Sequence, residues 1–231
     1  MKHTLILFAA FCGILLSGCK TQPQNAPVSN TYIGYYLRYT EDDMSLRSDV
    51  TFKRGDSLRT AKATFMLGNV SLNGQPIPKQ SSDVGDYYSI MGTKETPDSN
   101  YTFSYNDPYQ AKITKHSVFF PKATNLRFEG NTLSIKNGGT LKWSGTPLRE
   151  REELMLQLVD SKNTNREIRI VGPTQTSTFA LSNGQLDGLV TGDATINGMR
   201  MAIIPLPESP HTKGSMTTEY YAKEIKIKLS L

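Results

Sequence analysis

The sequence predicts an all-β protein built from two antiparallel β-sandwich domains in tandem. Apolar and polar residues alternate with a period of two in many short segments, which is the pattern of half-buried strands. Glycine- and proline-containing turns separate these segments, and no segment shows the apolar period of an amphipathic helix over three turns. Many short strands divided by turn residues are typical of antiparallel sandwiches.

The first segment, residues 1–18, is predicted to be a signal peptide. Lys2 is followed by an apolar run from Leu5 to Leu16 and then by the small residues Ser17 and Gly18. This order of charged, apolar and small regions is that of a secretory signal peptide. The apolar run is too short for a membrane-spanning helix, which needs about 20 apolar residues.

The end of this segment resembles the bacterial lipobox, through Leu16, Ser17, Gly18 and Cys19. The resemblance implies cleavage before Cys19 and acyl chains on its sulfur, so that the protein is anchored to a membrane. One acyl chain binds a membrane only marginally, whereas two or three give a lasting anchor. Lys20 stands where an aspartate is associated with retention at the inner membrane, so the outer membrane of a bacterial cell envelope is expected. The alternative is an ordinary signal peptide with an incidental cysteine.

Residues 19–31 are predicted to be the lipidated cysteine and a flexible tether, because they are polar, contain two prolines and offer almost nothing to bury. Cys12 would leave with the signal peptide. The processed chain would then have no free thiol, which excludes disulfides, thiol catalysis and cysteine metal sites. The formal net charge of +5 for the full chain is spread along the sequence, so nucleic acid is not an expected partner.

The remaining chain is predicted to form domains over residues 32–127 and 128–231, each near the size of an immunoglobulin domain. The clearest strand is the terminal "EIKIKLSL", and "ELMLQLVD" alternates in the same way. Asn73–Gly74 and Asn137–Gly139 mark hairpin turns, since Asn and Gly tolerate the positive φ that such turns require.

The second of these domains resembles a fibronectin type III or immunoglobulin-like domain. The residues that carry the resemblance are Leu141, Trp143, Phe179, Leu181, Leu186, Leu189 and Gly192. Thr195 or Ile196 stands where such domains commonly have a corner tyrosine, which is a departure from the family pattern. "LKWSGTPL", "EELMLQLVD" and "VGPT" also resemble uncharacterised lipoproteins of Bacteroidetes type, which imply no activity.

The residues that could carry catalysis do not form a recognised motif. His116 and His211 lack the neighbours of a zinc site or a nucleophile elbow. Carboxylates cluster at Glu41–Asp43 and at residues 150–153, between strand signals where such clusters are usually solvated turns. "DSKNTNRE", residues 160–167, holds oxygen donors that calcium prefers, but Asp and Asn also favour turns for local reasons. We therefore predict a protein that is not an enzyme and has no metal or cofactor.

Tyrosine is distributed unevenly. The first predicted domain contains nine of the eleven, and Tyr220 and Tyr221 lie near the end of the chain. Since successive residues of a strand face opposite sides, each tyrosine doublet should place one ring inward and one outward. In "YIGYYLRY", residues 32–39, the alternation places Ile33, Tyr35, Leu37 and Tyr39 on the core face. The candidate ligand-binding residues are Tyr32, Tyr36, Arg38 and Tyr88. The alternative is that tyrosine, with its high strand propensity, fills half-exposed positions.

These observations predict a membrane-anchored envelope lipoprotein that acts as a binding module for an envelope protein or a polysaccharide. A protein partner predicts a contiguous apolar patch or an unpaired edge strand. A glycan predicts coplanar outward tyrosines flanked by Asn, Asp or Arg. Two alternatives remain open: a passive structural spacer, and a glycan hydrolase with two close carboxylates, one of raised pKa.

Overall fold

The computed structural model of the chain describes residues 30–231 except residues 67, 84, 95, 108–111 and 208. This part of the chain consists of β-strands, turns and two short 3-10 helices, Glu129–Asn131 and Asn183–Leu186. The all-β prediction is therefore confirmed. In the same residues no helix is long and apolar enough to cross a membrane. The predicted signal peptide, Cys19 and nearly all of the tether lie outside the described residues.

The first half of the described chain forms a β-sandwich. Its strands are β1 (Asn30–Thr40), β2 (Ser45–Gly55), β3 (Lys62–Ala63), β4 (Val70–Leu72), β5 (Gln75–Pro76), β6 (Lys79–Ser82), β7 (Gly85–Thr93), β8 (Asn100–Asp107) and β9 (Lys112–Phe119). One layer has the order β1-β2-β7-β6, with β3 beside β2, and the other has the order β5-β4-β8-β9. The layers face each other through rings: Tyr35 of β1 stacks on Phe103 of β8 with centroids 4.3 Å apart.

The second half forms another sandwich. Its strands are β10 (Thr124–Phe128), β11 (Thr132–Ser134), β12 (Gly139–Ser144), β13 (Glu152–Asp160), β14 (Asn165–Val171), β15 (Thr178–Leu181), β16 (Gly192–Pro205), β17 (Thr212–Tyr221) and β18 (Ile225–Ser230). One layer has the order β10-β12-β15, and the other contains β14-β13-β16. The chain crosses between the layers from β12 to β13, from β14 to β15 and from β15 to β16, as in immunoglobulin-like sandwiches.

A close approach between the layers explains the glycine at position 198. A Cβ on Gly198 of β16 would stand 2.2 Å from Cδ1 of Leu126 on β10. Any larger side chain would force the two layers apart, so the sequence places its smallest residue at this crossing.

The two sandwiches share one continuous sheet of eleven strands. β17 and β18 both pair with one edge of β16, and one extra residue between Tyr221 and Ile225 forms a bulge where the register shifts. The outer edge of β17 then pairs in parallel with β1, from Thr31 opposite Thr212 to Thr40 opposite Tyr221. The alternation in the sequence does not predict this parallel pairing, which places the first strand beside one of the last.

The strand pairing also bears on the boundary between the sandwiches. β10 pairs with β12, so it lies with the second sandwich, whereas a boundary between residues 127 and 128 falls inside this strand. The polypeptide crosses between the sandwiches after β9 and before β10. A division of the chain into two domains stays a prediction, because the shared sheet runs through both halves.

The predicted alternation of β1 is confirmed. Ile33, Tyr35, Leu37 and Tyr39 are each at most 2% exposed, and the residues between them are half-buried. Each of the three tyrosine doublets also places one ring in the core, through Tyr35, Tyr88 and Tyr220. The shared sheet therefore has an inner face, covered by the two smaller sheets, and an outer face on the opposite side.

Candidate functional site

The candidate functional site is the outer face of the shared sheet. Strand register places one row of side chains across seven strands, in the order Met91, Arg47, Arg38, Glu219, Met201, Glu153 and Val171. Neighbouring strands lie about 4.8 Å apart, so this row is about 29 Å long. Charged side chains predominate in its first half, and apolar side chains predominate in its second half.

Tyr36, Arg38, Glu219 and Tyr221 form what we call the tyrosine–glutamate cluster. The Tyr36 hydroxyl donates a hydrogen bond to Oε2 of Glu219 at 2.6 Å, and the Tyr221 hydroxyl donates to the same oxygen at 3.2 Å. The Arg38 guanidinium lies over the Tyr221 ring, 4.4 Å from its centroid. A cation over a ring face is attracted to it, so the four side chains hold one another in place.

The electrostatics of this cluster follow from burial and from Glu219. Burial raises the pKa of Tyr36, and the hydrogen bond to the Glu219 carboxylate raises it further. Burial and the charge of Glu219 likewise raise the pKa of Tyr221. Both hydroxyls therefore stay protonated at neutral pH and act as donors. The cluster presents one cation, one anion and two rings in a fixed arrangement.

An ion pair borders the cluster on β2. Arg47 bonds Asp49 at 2.8 Å, and Ser89 donates a hydrogen bond from its hydroxyl to the other carboxylate oxygen of Asp49 at 2.6 Å. The hydrogen bond to Asp49 raises the pKa of Arg47. Tyr32 lies at the start of β1, where its hydroxyl donates to the backbone oxygen of Asp56 at 3.3 Å.

Val171, Met201, Ile203 and Pro205 form what we call the apolar patch. They line a shallow depression of about 430 Å³ together with Arg151, Glu153 and neighbouring residues. Val171 is 67% exposed and Ile203 is 49% exposed. Register connects this patch to the tyrosine–glutamate cluster, since Thr217 lies between Tyr36 and Ile203. The two halves of the face are therefore continuous.

The structure brings three of the four predicted ligand-binding residues to this face, since Tyr32, Tyr36 and Arg38 all point away from the core of β1. The prediction for Tyr88 is wrong, because Tyr88 is 1% exposed. Its hydroxyl accepts a hydrogen bond from the Met66 N–H at 3.1 Å and donates to the Met66 oxygen at 3.3 Å. In that doublet the outer position belongs to Tyr87.

The two predicted carboxylate clusters differ in burial and in hydrogen-bond partners. Glu41 accepts a hydrogen bond from the Lys223 N–H at 2.9 Å, and Asp43 accepts one from the Ser45 N–H at 3.1 Å. Glu152 is not in a solvated turn: it is 5% exposed and bonds fully buried Arg200 at 2.5 Å. The sequence contains a sign of this burial, because Glu152 and Leu154 are two positions apart and so point to the same, inner face of the strand.

Of the residues 160–167, those between β13 and β14, 161–164, form a turn that Asp160 organises. Its carboxylate accepts N–H hydrogen bonds from Lys162, Thr164 and Val190 at 2.8 to 2.9 Å. Burial opposes ionisation of Asp160, but these donors outweigh it, so the pKa of the carboxyl is lowered from its ordinary value. Within the described residues, no group of three or more His, Cys, Asp or Glu side chains could hold a metal ion.

His116 lies between the sheets of the first sandwich. Its Nδ1 is 3.0 Å from the Tyr35 hydroxyl, and its ring meets the Tyr35 ring edge-on. Burial lowers the pKa of His116, which keeps the imidazole neutral near neutral pH. This contact ties β9 to β1 and belongs to the core of the sandwich.

Comparison with known proteins assigns no family to this chain. No family model matches it, and no curated protein matches it. Among solved structures, an I-band fragment of titin matches over 85% of this chain and 64% of that chain, at 8% sequence identity and a TM-score of 0.21. That score is too low to support any statement about a shared function. The described residues form an all-β protein of two sandwiches that share one continuous outer face.

Proposed function

We propose that this protein is a lipid-anchored protein of a bacterial cell envelope that binds another envelope protein through the outer face of its shared sheet. The observation that carries the proposal is the continuity of the apolar patch with the tyrosine–glutamate cluster. Fixed charged and aromatic groups give specificity, and exposed apolar side chains give binding energy.

The composition and size of the face fit a protein partner. Its core residues are methionine, tyrosine, arginine and branched aliphatic side chains, and aromatic residues, methionine and arginine are enriched at protein interfaces. Six residues along each strand span about 20 Å, so the face measures roughly 30 Å by 20 Å. This is most of the about 800 Å² that each partner buries in a standard interface.

The geometry favours a protein over a polysaccharide. A sugar ring packs on an open aromatic face, but the Tyr221 ring is covered by the Arg38 guanidinium. The hydroxyls of Tyr36 and Tyr221 both donate to Glu219, so a glycan would have to displace existing bonds. The apolar patch, in contrast, is exposed already.

The proposed anchor limits where the partner lies. Asn30, at the start of β1, is eleven positions after Cys19, and an extended chain spans at most about 3.6 Å per residue. The start of β1 is therefore within about 40 Å of the membrane that holds the acyl chains. Because β1 carries Tyr36 and Arg38, the partner would also be close to that membrane.

The anchor and the binding face are tested separately. Labelling of cells with an alkyne fatty acid should mark the wild-type protein, and Cys19→Ala should abolish the label and release the protein from membranes. A label that survives Cys19→Ala would contradict lipidation at this residue. This result leaves the binding proposal open to its own test.

For the binding face, a photo-crosslinking amino acid is placed at Ile203 in the membrane-anchored chain and irradiated in intact cells. We expect one protein adduct of defined mass, which Val171→Asp in the same chain removes. The matched control places the crosslinker at Ile113, which is 62% exposed on β9 of the first sandwich, and should give no such adduct. The same adduct from both positions, or none from Ile203, would contradict the proposal.

A titration with peptidoglycan fragments and envelope polysaccharides tests the glycan alternative, with tyrosine fluorescence as the signal. Saturable binding that Tyr36→Ala abolishes, without a protein adduct at Ile203, would favour a glycan-binding role. A flat titration together with no adduct would favour a passive spacer.

A further inference from the structure

We infer that the first sandwich contains a binding pocket for a single sugar residue or a polyol of that size, distinct from the outer face. The pocket, which we call the end pocket, lies between the inner face of β2 and β7 and the β4–β5 turn, near the start of β8. It has a volume of about 310 Å³.

The end pocket exists because one position of its wall has no side chain. Gly92 on β7 pairs with Leu46 on β2, and both residues line the pocket. A Cβ on Gly92 would meet no other atom within 4 Å. The sheets of the first sandwich therefore fail to close at this end, although they pack tightly around Tyr35 and Phe103.

A buried hydroxyl marks the inside of the pocket. Ser48 lines it and is 0% exposed, and its Oγ has no hydrogen-bond partner among the described residues. Buried polar atoms in folded proteins are almost always paired. The Ser48 Oγ lies in the wall behind this cavity, so a ligand that fills the cavity would give it a hydrogen-bond partner once the side chain turns toward the ligand.

The rim of the pocket is polar and held in place. Lys94 bonds Asp98 at 3.0 Å, and the backbone N–H of Asp98 donates to the Tyr101 hydroxyl at 3.0 Å. Asn73 accepts a hydrogen bond from the Thr102 N–H at 2.8 Å and donates to Asp98 at 3.4 Å. Its φ of 48° belongs to the predicted Asn73–Gly74 turn, which fixes its side chain at the rim.

These features define the ligand class. A volume of about 310 Å³ equals that of about ten water molecules at ~30 Å³ each, so the ligand has roughly that number of non-hydrogen atoms. The floor is apolar, through Leu46, Leu72 and Ile90, whereas the rim offers ammonium, carboxylate and amide groups. One cation and one anion balance each other, which favours a neutral molecule. A sugar ring presents an apolar C–H face and several hydroxyl groups.

The test is an NMR titration of the protein with glucose, N-acetylglucosamine and myo-inositol. The methyl groups of Leu46, Leu72 and Ile90 are observed. We expect saturable shifts confined to these methyl groups for at least one ligand, with a Kd of about 0.1 to 10 mM for a ligand this small. Ser48→Ala should weaken binding by about fivefold, the value of one hydrogen bond, without loss of folding.

A second variant keeps the test decisive. Gly92→Leu places an apolar side chain at the mouth of the pocket, where a Cβ meets no other atom within 4 Å, and should abolish the shifts while leaving the thermal midpoint equal or higher. The matched control is Gly184→Leu in the second sandwich, where a Cβ also meets nothing within 4 Å, and binding should persist. No saturable shift with any of the three ligands, or binding that Gly92→Leu leaves unchanged, would overturn the inference.

Discussion

The two sandwiches differ in the chemistry of their cores. The core of the first sandwich is largely aromatic, whereas the core of the second is largely aliphatic. The first core consists mainly of Tyr35, Tyr39, Phe52, Tyr88, Tyr101, Phe103, Tyr105 and Phe120. The second consists mainly of Leu133, Leu141, Leu154, Leu156, Leu158, Ile168, Ile170 and Ile196. Tyrosine brings a hydroxyl that needs a partner, whereas leucine and isoleucine bring none.

Each core therefore places its polar atoms differently. In the first sandwich the tyrosine hydroxyls reach Met66, Asp98 and His116, so polar contacts are spread through the core and one end remains open. In the second sandwich, the buried charged groups among the described residues are the Arg200–Glu152 pair and Asp160 at the end of β13. Aliphatic side chains pack by shape alone, whereas each buried tyrosine must also lie where its hydroxyl has a hydrogen-bond partner.

The largest expected effect concerns the buried ion pair of the second sandwich. Arg200 also donates to the backbone oxygens of Lys122, Thr146 and Pro147. Arg200→Met should lower the free energy of unfolding by about 3 to 5 kcal/mol, because it leaves the Glu152 carboxylate buried and unpaired. Trp143, which is 4% exposed in this sandwich, reports the loss by fluorescence during urea unfolding.

The control replaces both partners. Arg200→Met with Glu152→Leu should recover most of the lost stability, since an apolar pair of similar volume is often as stable as a buried ion pair. A single Arg200→Met variant that loses less than about 1 kcal/mol would show that the pair is not what holds this region together.

A smaller effect is expected at the junction between the sandwiches. A Cβ on Gly214 of β17 would stand 2.1 Å from the backbone oxygen of Ile33 on β1. Gly214→Ala should force β1 away from β17 and cost about 1 to 3 kcal/mol, as overpacking does. Wild-type protein should show coincident urea transitions by Trp143 fluorescence and tyrosine circular dichroism, whereas the variant should show two.

The exposed Gly184→Ala provides the control, because a Cβ there meets nothing within 4 Å. If the Gly214→Ala transitions still coincide, the shared sheet does not couple the sandwiches through this pairing. If the wild-type transitions are already separate, the two sandwiches are independent domains despite the shared sheet.

The junction also shows the limit of prediction from the sequence. Alternation identified the buried and outer faces of β1, because parity along one strand depends only on neighbouring residues. It could not reveal that Arg38 lies opposite Glu219, since the pairing joins residues 181 positions apart and is parallel. The outer face exists only because of this distant pairing.

The errors at individual residues have physical causes as well. Either tyrosine of the Tyr87–Tyr88 doublet is suited to the inner or the outer face of a strand. Tyr88 is the inner one because its hydroxyl donates a hydrogen bond to the Met66 backbone oxygen, a contact that the sequence does not reveal. Glu152 stands among charged residues, and this composition led to the prediction of a solvated turn, although the alternation along the strand places its side chain inward. Its buried position becomes favourable only with Arg200, which lies on another strand.

The smallest expected effect is a pH dependence confined to the first sandwich. Burial lowers the folded-state pKa of His116 below its ordinary value of 6.5. As the pH falls through 6.5 the unfolded chain binds a proton that the folded chain does not, so stability is full above that pH and declines below it. The titratable groups whose rings contact the His116 ring are Tyr35 and Tyr105, and burial raises the pKa of Tyr35.

The measurement compares urea midpoints at pH 8, 7, 6 and 5, observed by tyrosine circular dichroism, for wild type and for His116→Gln. The variant should lose part of the decline between pH 7 and pH 5, because its side chain does not titrate. His211→Gln removes an imidazole elsewhere and should leave the His116 contribution in place. Equal slopes for wild type and His116→Gln would show that the aromatic core accepts the imidazolium, and that the hydrogen bond to Tyr35 does not depend on a neutral ring.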